Sequence, residues 1–276
     1  MGSFLFWFFL VGIVVASLQD IRRREIDNWL NILLLFGGCV FIAFRAIFEN
    51  NSALIFQLGF VLVLMYALAY LFNEGRVFSG GDAKLLFAMT PIFIGLNFLS
   101  ALVSVGIFIV FLMIAASVYG IIYSLVLYFM NFEKVNREIK KRFSKSWCWG
   151  AMLFGLVVIL LGFLNVLFLS FGIIIFLFPI LYVFAKGLEK VVMIYSFPVG
   201  TLREGELLAL HVRVGKKVIK ADWDGLSLSD ISFLKKSKLK SVKLMGGLPF
   251  APAFLIAFLL NYFFRDVLAG FLAGLI

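Results

Sequence analysis

Two acidic residues stand where charge is expensive. Asp20 closes an uncharged apolar run, 4–19, and Asp82 lies in Ser79-Gly80-Gly81-Asp82-Ala83-Lys84, just ahead of another apolar run. A charge at the edge of bilayer hydrocarbon is costly and is kept for work or for a partner. Two carboxylates brought to one membrane face would share a proton, because like charges a few ångströms apart resist double ionisation. Such a pair can hydrolyse an amide through a water held between them. The ionised carboxylate takes a proton from the water, and the protonated one polarises the carbonyl. Which residue would be the base stays open. The surrounding elements must deliver both acids to the same depth and side.

The chain has 276 residues, 63% of them hydrophobic and only 14% charged, with 35 Phe. Soluble domains average roughly 45–50% apolar and about 25% charged residues. The expected fold is therefore an all-α polytopic membrane protein of about six transmembrane helices, or eight, with a small α+β cytoplasmic domain. The net charge of +10 sits between the apolar runs. That placement fits membrane topology and anionic membrane lipid as a partner, and no nucleic acid. Cys39 and Cys148 form no C-x-x-C, and His211 stands alone as an ordinary surface or strand residue. No metal and no cofactor are expected. The first run lacks a basic leading region and is followed by arginines, so it reads as a membrane helix, not a cleavable signal.

Apolar segments cover 4–20, 27–48, 53–72, 83–96, 98–130, 150–186 and 249–275. A spanning helix needs roughly 20 residues. Segment 83–96 is short, a tilted or partly re-entrant helix loosened by Pro91 and Gly95. Segment 98–130 is long enough to project into water. Segment 150–186 is one very long helix or, preferably, a hairpin turning near Gly162-Phe163-Leu164-Asn165. Arg22, Arg23 and Arg24 follow the first segment, and six further basic residues follow the fifth. The positive-inside bias puts the N-terminus outside and 21–26, 73–82 and 131–149 in the cytoplasm. Both aspartates come out on the cytoplasmic side.

Residues 187–247 change character and carry eleven Lys or Arg. Alternation over 207–214 and 218–221, around Gly215-Lys216-Lys217, predicts a β-hairpin. Ser227 is the expected N-cap of a short helix. The expected domains are 1–186, transmembrane and carrying both acidic blocks, 187–247, small and cytoplasmic, and 248–276, a last transmembrane helix.

Each block has a plain local reading. Asp20-Ile21-Arg22-Arg23-Arg24-Glu25-Ile26-Asp27-Asn28-Trp29-Leu30 reads alone as a basic turn, with Asp20 paired to an arginine. Paired glycines at 80 and 81 let another chain approach closely, and Asp82 alone reads as a helix N-cap. Gly246-Gly247-Leu248-Pro249-Phe250-Ala251-Pro252-Ala253-Phe254 opens the last apolar segment as a stiff, extended stretch that could offer backbone groups to a substrate.

Together the three blocks resemble the GxGD membrane aspartic proteases, and among them the prepilin and preflagellin peptidases. D-x-R-x-R-x-I-x-N-x-L, carried by Asp20, Arg22, Arg24, Ile26, Asn28 and Leu30, resembles the family's first catalytic block. Gly81-Asp82-Ala83-Lys84 resembles the second, G-D-x-K. Pro249-Phe250-Ala251-Pro252 is similar to the proline-rich block of the last helix, and Pro252-Ala253 to the PAL motif of presenilins. Ser79 departs from the pattern, which has glycine there.

The resemblance implies an aspartic endopeptidase with Asp20 and Asp82 as catalytic residues. Gly80, Gly81, Lys84, Glu25, Asp27, Glu74, Pro252 and Ala253 would bind substrate or support the pair. Glu25, Asp27 and Glu74 would receive a basic leader. Lys84 would bias the pair's titration or snorkel to lipid headgroups, and Gly80 and Gly81 would act as hinges. The substrates implied are preflagellin or type IV pilin-like precursors. The cysteine-rich zinc domain and methyltransferase activity of many bacterial members have no residues here, so the likeness is to the archaeal type.

Two rival classes carry other expectations. An ion-coupled transporter using Asp20 and Asp82 as a proton relay needs carboxylates near mid-membrane and symmetry between halves. A non-catalytic scaffold needs only basic loops on anionic lipid.

Overall fold

Apolar length decides the architecture. Among the described residues, seven helices are long and apolar enough to cross a membrane: Ser3–Arg23, Asn28–Phe48, Ala53–Glu74, Phe98–Met130, Ser146–Phe163, Val166–Met193 and Ala251–Gly270. The computed structural model describes residues 3–95, 97–163, 165–214, 217–222, 225–237 and 239–273. The chain is a polytopic all-α membrane protein with a small α+β portion. It divides into two compact units, 1–121 with 248–276, and 122–247.

The first unit holds α1 (Ser3–Arg23), α2 (Asn28–Phe48), α3 (Ala53–Glu74), α4 (Gly80–Ala88), most of α5 (Phe98–Met130) and α10 (Ala251–Ala273). α4 has nine residues, about 13 Å at about 1.5 Å each, too short to cross roughly 30 Å of hydrocarbon. Pro91 stops it. A proline there has no N–H for the ladder and its ring would clash one turn back. The chain tightens into a 3-10 turn over Thr90–Phe93, with Thr90 Oγ1 donating to Phe87 O. The expected short helix over 83–96 is thus a short helix plus a tight turn. α2 is the central support. It packs against α1, α3, α4 and the Thr90–Phe93 turn. Gly38 permits the last contact, since a Cβ there would stand 2.6 Å from the Pro91 ring. α1 runs antiparallel to α10, with Phe6 against Phe258 and Tyr262.

In the second unit, α6 (Phe132–Phe143) turns Val135 inward and leaves Lys134, Arg137, Lys140 and Lys141 exposed. α7 (Ser146–Leu160) and α8 (Val166–Leu188) form the hairpin expected over 150–186. Gly155 allows their close approach, because a Cβ on it would meet the Phe176 backbone at 2.6 Å. Leu164, placed in the expected turn, lies outside the described residues.

Among the described residues, the α+β portion has two small antiparallel sheets. β1 (Ile194–Pro198) pairs with β4 (Ser241–Met245), and β2 (Val212–Val214) with β3 (Lys217–Ile219). The hairpin is shorter than the alternation suggests. Leu208 leaves it to bridge Leu244, because both side chains belong to the buried cluster that includes Val242 and Leu234. Its turn residues Gly215 and Lys216 lie outside the described residues. Ser227 caps α9 (Leu228–Lys236) as expected, accepting from the Asp230 N–H. His211 Nδ1 accepts from Ala221 N–H at 2.8 Å, the ordinary service its sequence context suggests.

Candidate functional site

Both aspartates occupy helix ends in the first unit. α1 stops three residues after Asp20, where Arg24 takes a φ of 57° and its N–H closes on Asp20 O at 2.7 Å. The following turn is clasped by Gln19 and Asp27. Gln19 Nε2 donates to Asp27 Oδ2 at 3.0 Å, and Asp27 N–H donates to Gln19 Oε1 at 3.0 Å. Trp29 Nε1 donates to the same Asp27 oxygen at 3.3 Å. α2 then begins, and the first block is a hydrogen-bonded corner.

The third block meets the first. Pro249 and Pro252 have no N–H, so Phe250 and Ala251 carry the free donors at the start of α10. Ala251 N–H donates to Asp20 Oδ2 at 2.8 Å, and the Phe250 N–H also acts on that carboxylate. The backbone groups expected to face a substrate are, at Ala251, spent on Asp20. Asp20 is thereby held by a helix N-terminus, not by a neighbouring arginine alone.

The second block is built on a capping box. Ser79, not Asp82, is the N-cap of α4, and Asp82 sits three residues into the helix. Ser79 Oγ donates to Asp82 Oδ2 at 2.7 Å, and Ser79 N–H donates to the same oxygen at 3.1 Å. Asp82 N–H returns a bond to Ser79 Oγ at 3.4 Å. The expectation of Asp82 as the cap is corrected because a serine hydroxyl one turn earlier reaches the free amide first. Gly80 and Gly81 have no positive φ, and a Cβ on Gly80 would meet nothing within 4 Å. Packing does not require glycine at 80.

Asp20 and Asp82 are each only 7% exposed. Burial lifts the Asp82 carboxyl to about 6; the Ser79 hydroxyl pulls it back, and the nearby Asp20 charge adds to the rise. The two acids therefore feel each other although they belong to different helices. α2 joins them, packing against both α1 and α4. Lys84 Nζ donates to Asn28 Oδ1 at 2.9 Å, tying the second block to the first. Phe78, buried just before α4, packs its ring on Phe250 and Phe254 of the third block.

Of the other residues singled out, Pro252 is half-buried and Ala253 is fully buried behind it. Glu25 and Glu74 are exposed, Glu74 as the last residue of α3. Asp27 is occupied by Gln19 and Trp29. The sequence reading missed Ser79 as a partner of Asp82, Asn28 as the anchor of Lys84, and Phe78 as the link to α10. Only the first had a local signal, the S-x-x-D spacing of a capping box.

The Lys84–Asn28 bond has a direct check. Lys84→Met and Asn28→Ala should each lower stability by about 0.5–1.5 kcal/mol, the range of one net hydrogen bond. The double variant should lose little more than the worse single one, as a thermal double-mutant cycle would report.

The fold and this corner define a multi-pass membrane protein with two coupled, buried carboxylates at helix ends. Residues 7–129, just under half of the chain, match the type IV leader peptidase family. That stretch contains both aspartates. It is also similar to the preflagellin peptidase of Methanococcus maripaludis (strain C6), 28% identical over 79 residues. That alignment covers 29% of this chain and 34% of the relative, so the chain spans about a third of the length of the relative it matches. The Ala251 donor lies beyond the matched stretch, yet in the same compact unit.

Proposed function

We propose that this chain is an aspartic endopeptidase that removes a short basic leader from preflagellin or type IV pilin-like precursors at the cytoplasmic membrane face. The observation that carries the reading is the carboxylate pair. Asp20 and Asp82 are buried, electrostatically coupled, and each held by hydrogen bonds to its Oδ2. At Asp82 both Ser79 bonds fall on one oxygen, which leaves the other for the chemistry.

A water between the acids loses a proton to the ionised carboxylate as its oxygen attacks the scissile carbonyl carbon. The protonated carboxyl gives its proton to the carbonyl oxygen. The amide nitrogen then takes the pair's remaining proton, one hydroxyl of the tetrahedral diol returns its proton to the pair as the C–N bond breaks, and the pair again holds one shared proton. The placement at helix ends favours a substrate bond near the headgroup level over a proton relay at mid-membrane.

Arginines follow α1, and exposed Lys134, Arg137, Lys140 and Lys141 line α6. That bias supports a cytoplasmic site, with the basic residues against anionic lipid. Glu25 and Glu74 stand exposed beside the first and second blocks and suit a basic leader. Gly80 and Gly81 leave room for a substrate backbone.

The test is cleavage by the whole chain in membranes, using a precursor with an intact basic leader and one whose leader lysines and arginines are neutral. The basic leader should be removed and the neutral one processed poorly. No cleavage of the basic precursor would remove the proposal. Charge reversal at Glu74 should raise KM more than it lowers kcat. An unchanged KM would remove the acidic-receiver role.

A further inference from the structure

The residue that breaks the family pattern is the one that grips an acid. The G-x-G-D pattern has glycine where this chain has Ser79. The backbone there is extended, φ −71° and ψ 163°, so its conformation makes no demand for glycine. What the serine adds is a hydroxyl, and that hydroxyl donates to Asp82 Oδ2 at 2.7 Å beside the Ser79 N–H at 3.1 Å. A glycine would keep the second bond and lose the first.

We propose that Ser79 is a positioning residue that holds Asp82 by Oδ2, turning Oδ1 into the oxygen available to water and substrate and favouring the ionised acid. This rests on the reading of Asp20 and Asp82 as the catalytic pair. The physical basis is direct. A hydroxyl–carboxylate bond is stronger to the charged acid than to the neutral one, and it removes rotational freedom from a two-bond side chain. Burial raises the affinity of Asp82 for its proton, and the Ser79 hydroxyl is the largest opposing influence. In this chain the serine supplies what a glycine cannot.

The experiment compares the whole chain with Ser79→Ala, Ser79→Gly and Ser79→Thr. Infrared titration, with the Asp82 carboxyl band assigned by its loss in Asp82→Asn, gives a readout independent of cleavage. Ser79→Ala and Ser79→Gly should move the Asp82 midpoint up by about one pH unit, the size of one charge-assisted hydrogen bond. Ser79→Thr, which keeps a hydroxyl, should return it.

In the cleavage assay, one limb of the pH profile should move by the same amount with kcat falling and KM unchanged. An Asp82 midpoint that stays put in Ser79→Ala overturns the proposal. So does a fall in stability with no movement of either limb, which would make Ser79 a helix cap and nothing more. If the unaltered chain does not cleave, the catalytic reading fails, while the infrared midpoints still decide whether Ser79 controls Asp82.

Discussion

Asp20→Asn and Asp82→Asn should each reduce leader removal at least about 10³-fold, the upper range for losing a general acid or base. Asparagine keeps the shape and one oxygen acceptor but can neither carry the negative charge nor exchange the proton. The two losses should not add, since either one alone destroys the shared-proton state. Cleavage of a radiolabelled precursor in membranes, with equal insertion of each variant checked by protease protection, measures this. Near-normal turnover by either single variant would dismiss the pair.

Asp82→Asn carries a second, opposite effect on stability. The Asp82 carboxyl titrates near 6 in the fold against 3.8 when free. Folding therefore favours the protonated acid. That contribution is fully present below pH 3.8 and is lost as the pH rises through 6. At neutral pH the buried charge costs about 3 kcal/mol. An asparagine there removes that cost while still accepting from Ser79. The variant should be more stable than the parent at pH 7 by about 1–3 kcal/mol. At pH 4 the advantage should vanish. Thermal unfolding at the two pH values distinguishes this from a pH-independent packing gain.

The next largest effect is expected at a backbone atom. Ala251→Pro deletes the N–H that donates to Asp20 Oδ2, while proline is well tolerated at the first position of a helix. A hydrogen bond to a charged group contributes about 1.5–3 kcal/mol, which corresponds to about 10–150-fold in rate. The loss should fall on kcat with KM little changed, because the bond orients the acid and does not touch the substrate. Ala251→Gly, which keeps the N–H, should retain most of the activity. Equal losses in the two variants would show that the side chain, not the amide, matters at 251.

Much of the architecture was legible because the bilayer imposes a single simple rule. A run of apolar residues near twenty must be a helix, so the ends of α1, α2, α3 and α5 were readable within a few residues. Pro91 and Gly95 marked the shortened α4 region. The close pairing of α7 with α8 followed from the charge parity of the flanking segments. The α+β portion was harder. Ser227 was readable as a cap, since capping acts over three residues, whereas the pairing of β1 with β4 joins strands more than forty residues apart. Nothing local announces such a partner.

The acids themselves illustrate the same division. Their types, their motifs and their positions at the margins of apolar runs are properties of the sequence by itself, because the cost of burying a charge is felt residue by residue. So is the S-x-x-D spacing that lets Ser79 reach Asp82. Only the tertiary structure decided that Asp20 would be gripped by an amide 231 residues away. It also decided that α2 would stand between α1 and α4, and that Lys84 would anchor on Asn28. Those contacts depend on how helices of similar apolar composition pack. Many sequences with the same hydropathy would pack them differently, and the choice is made by side-chain shape and paired polar groups across the whole chain.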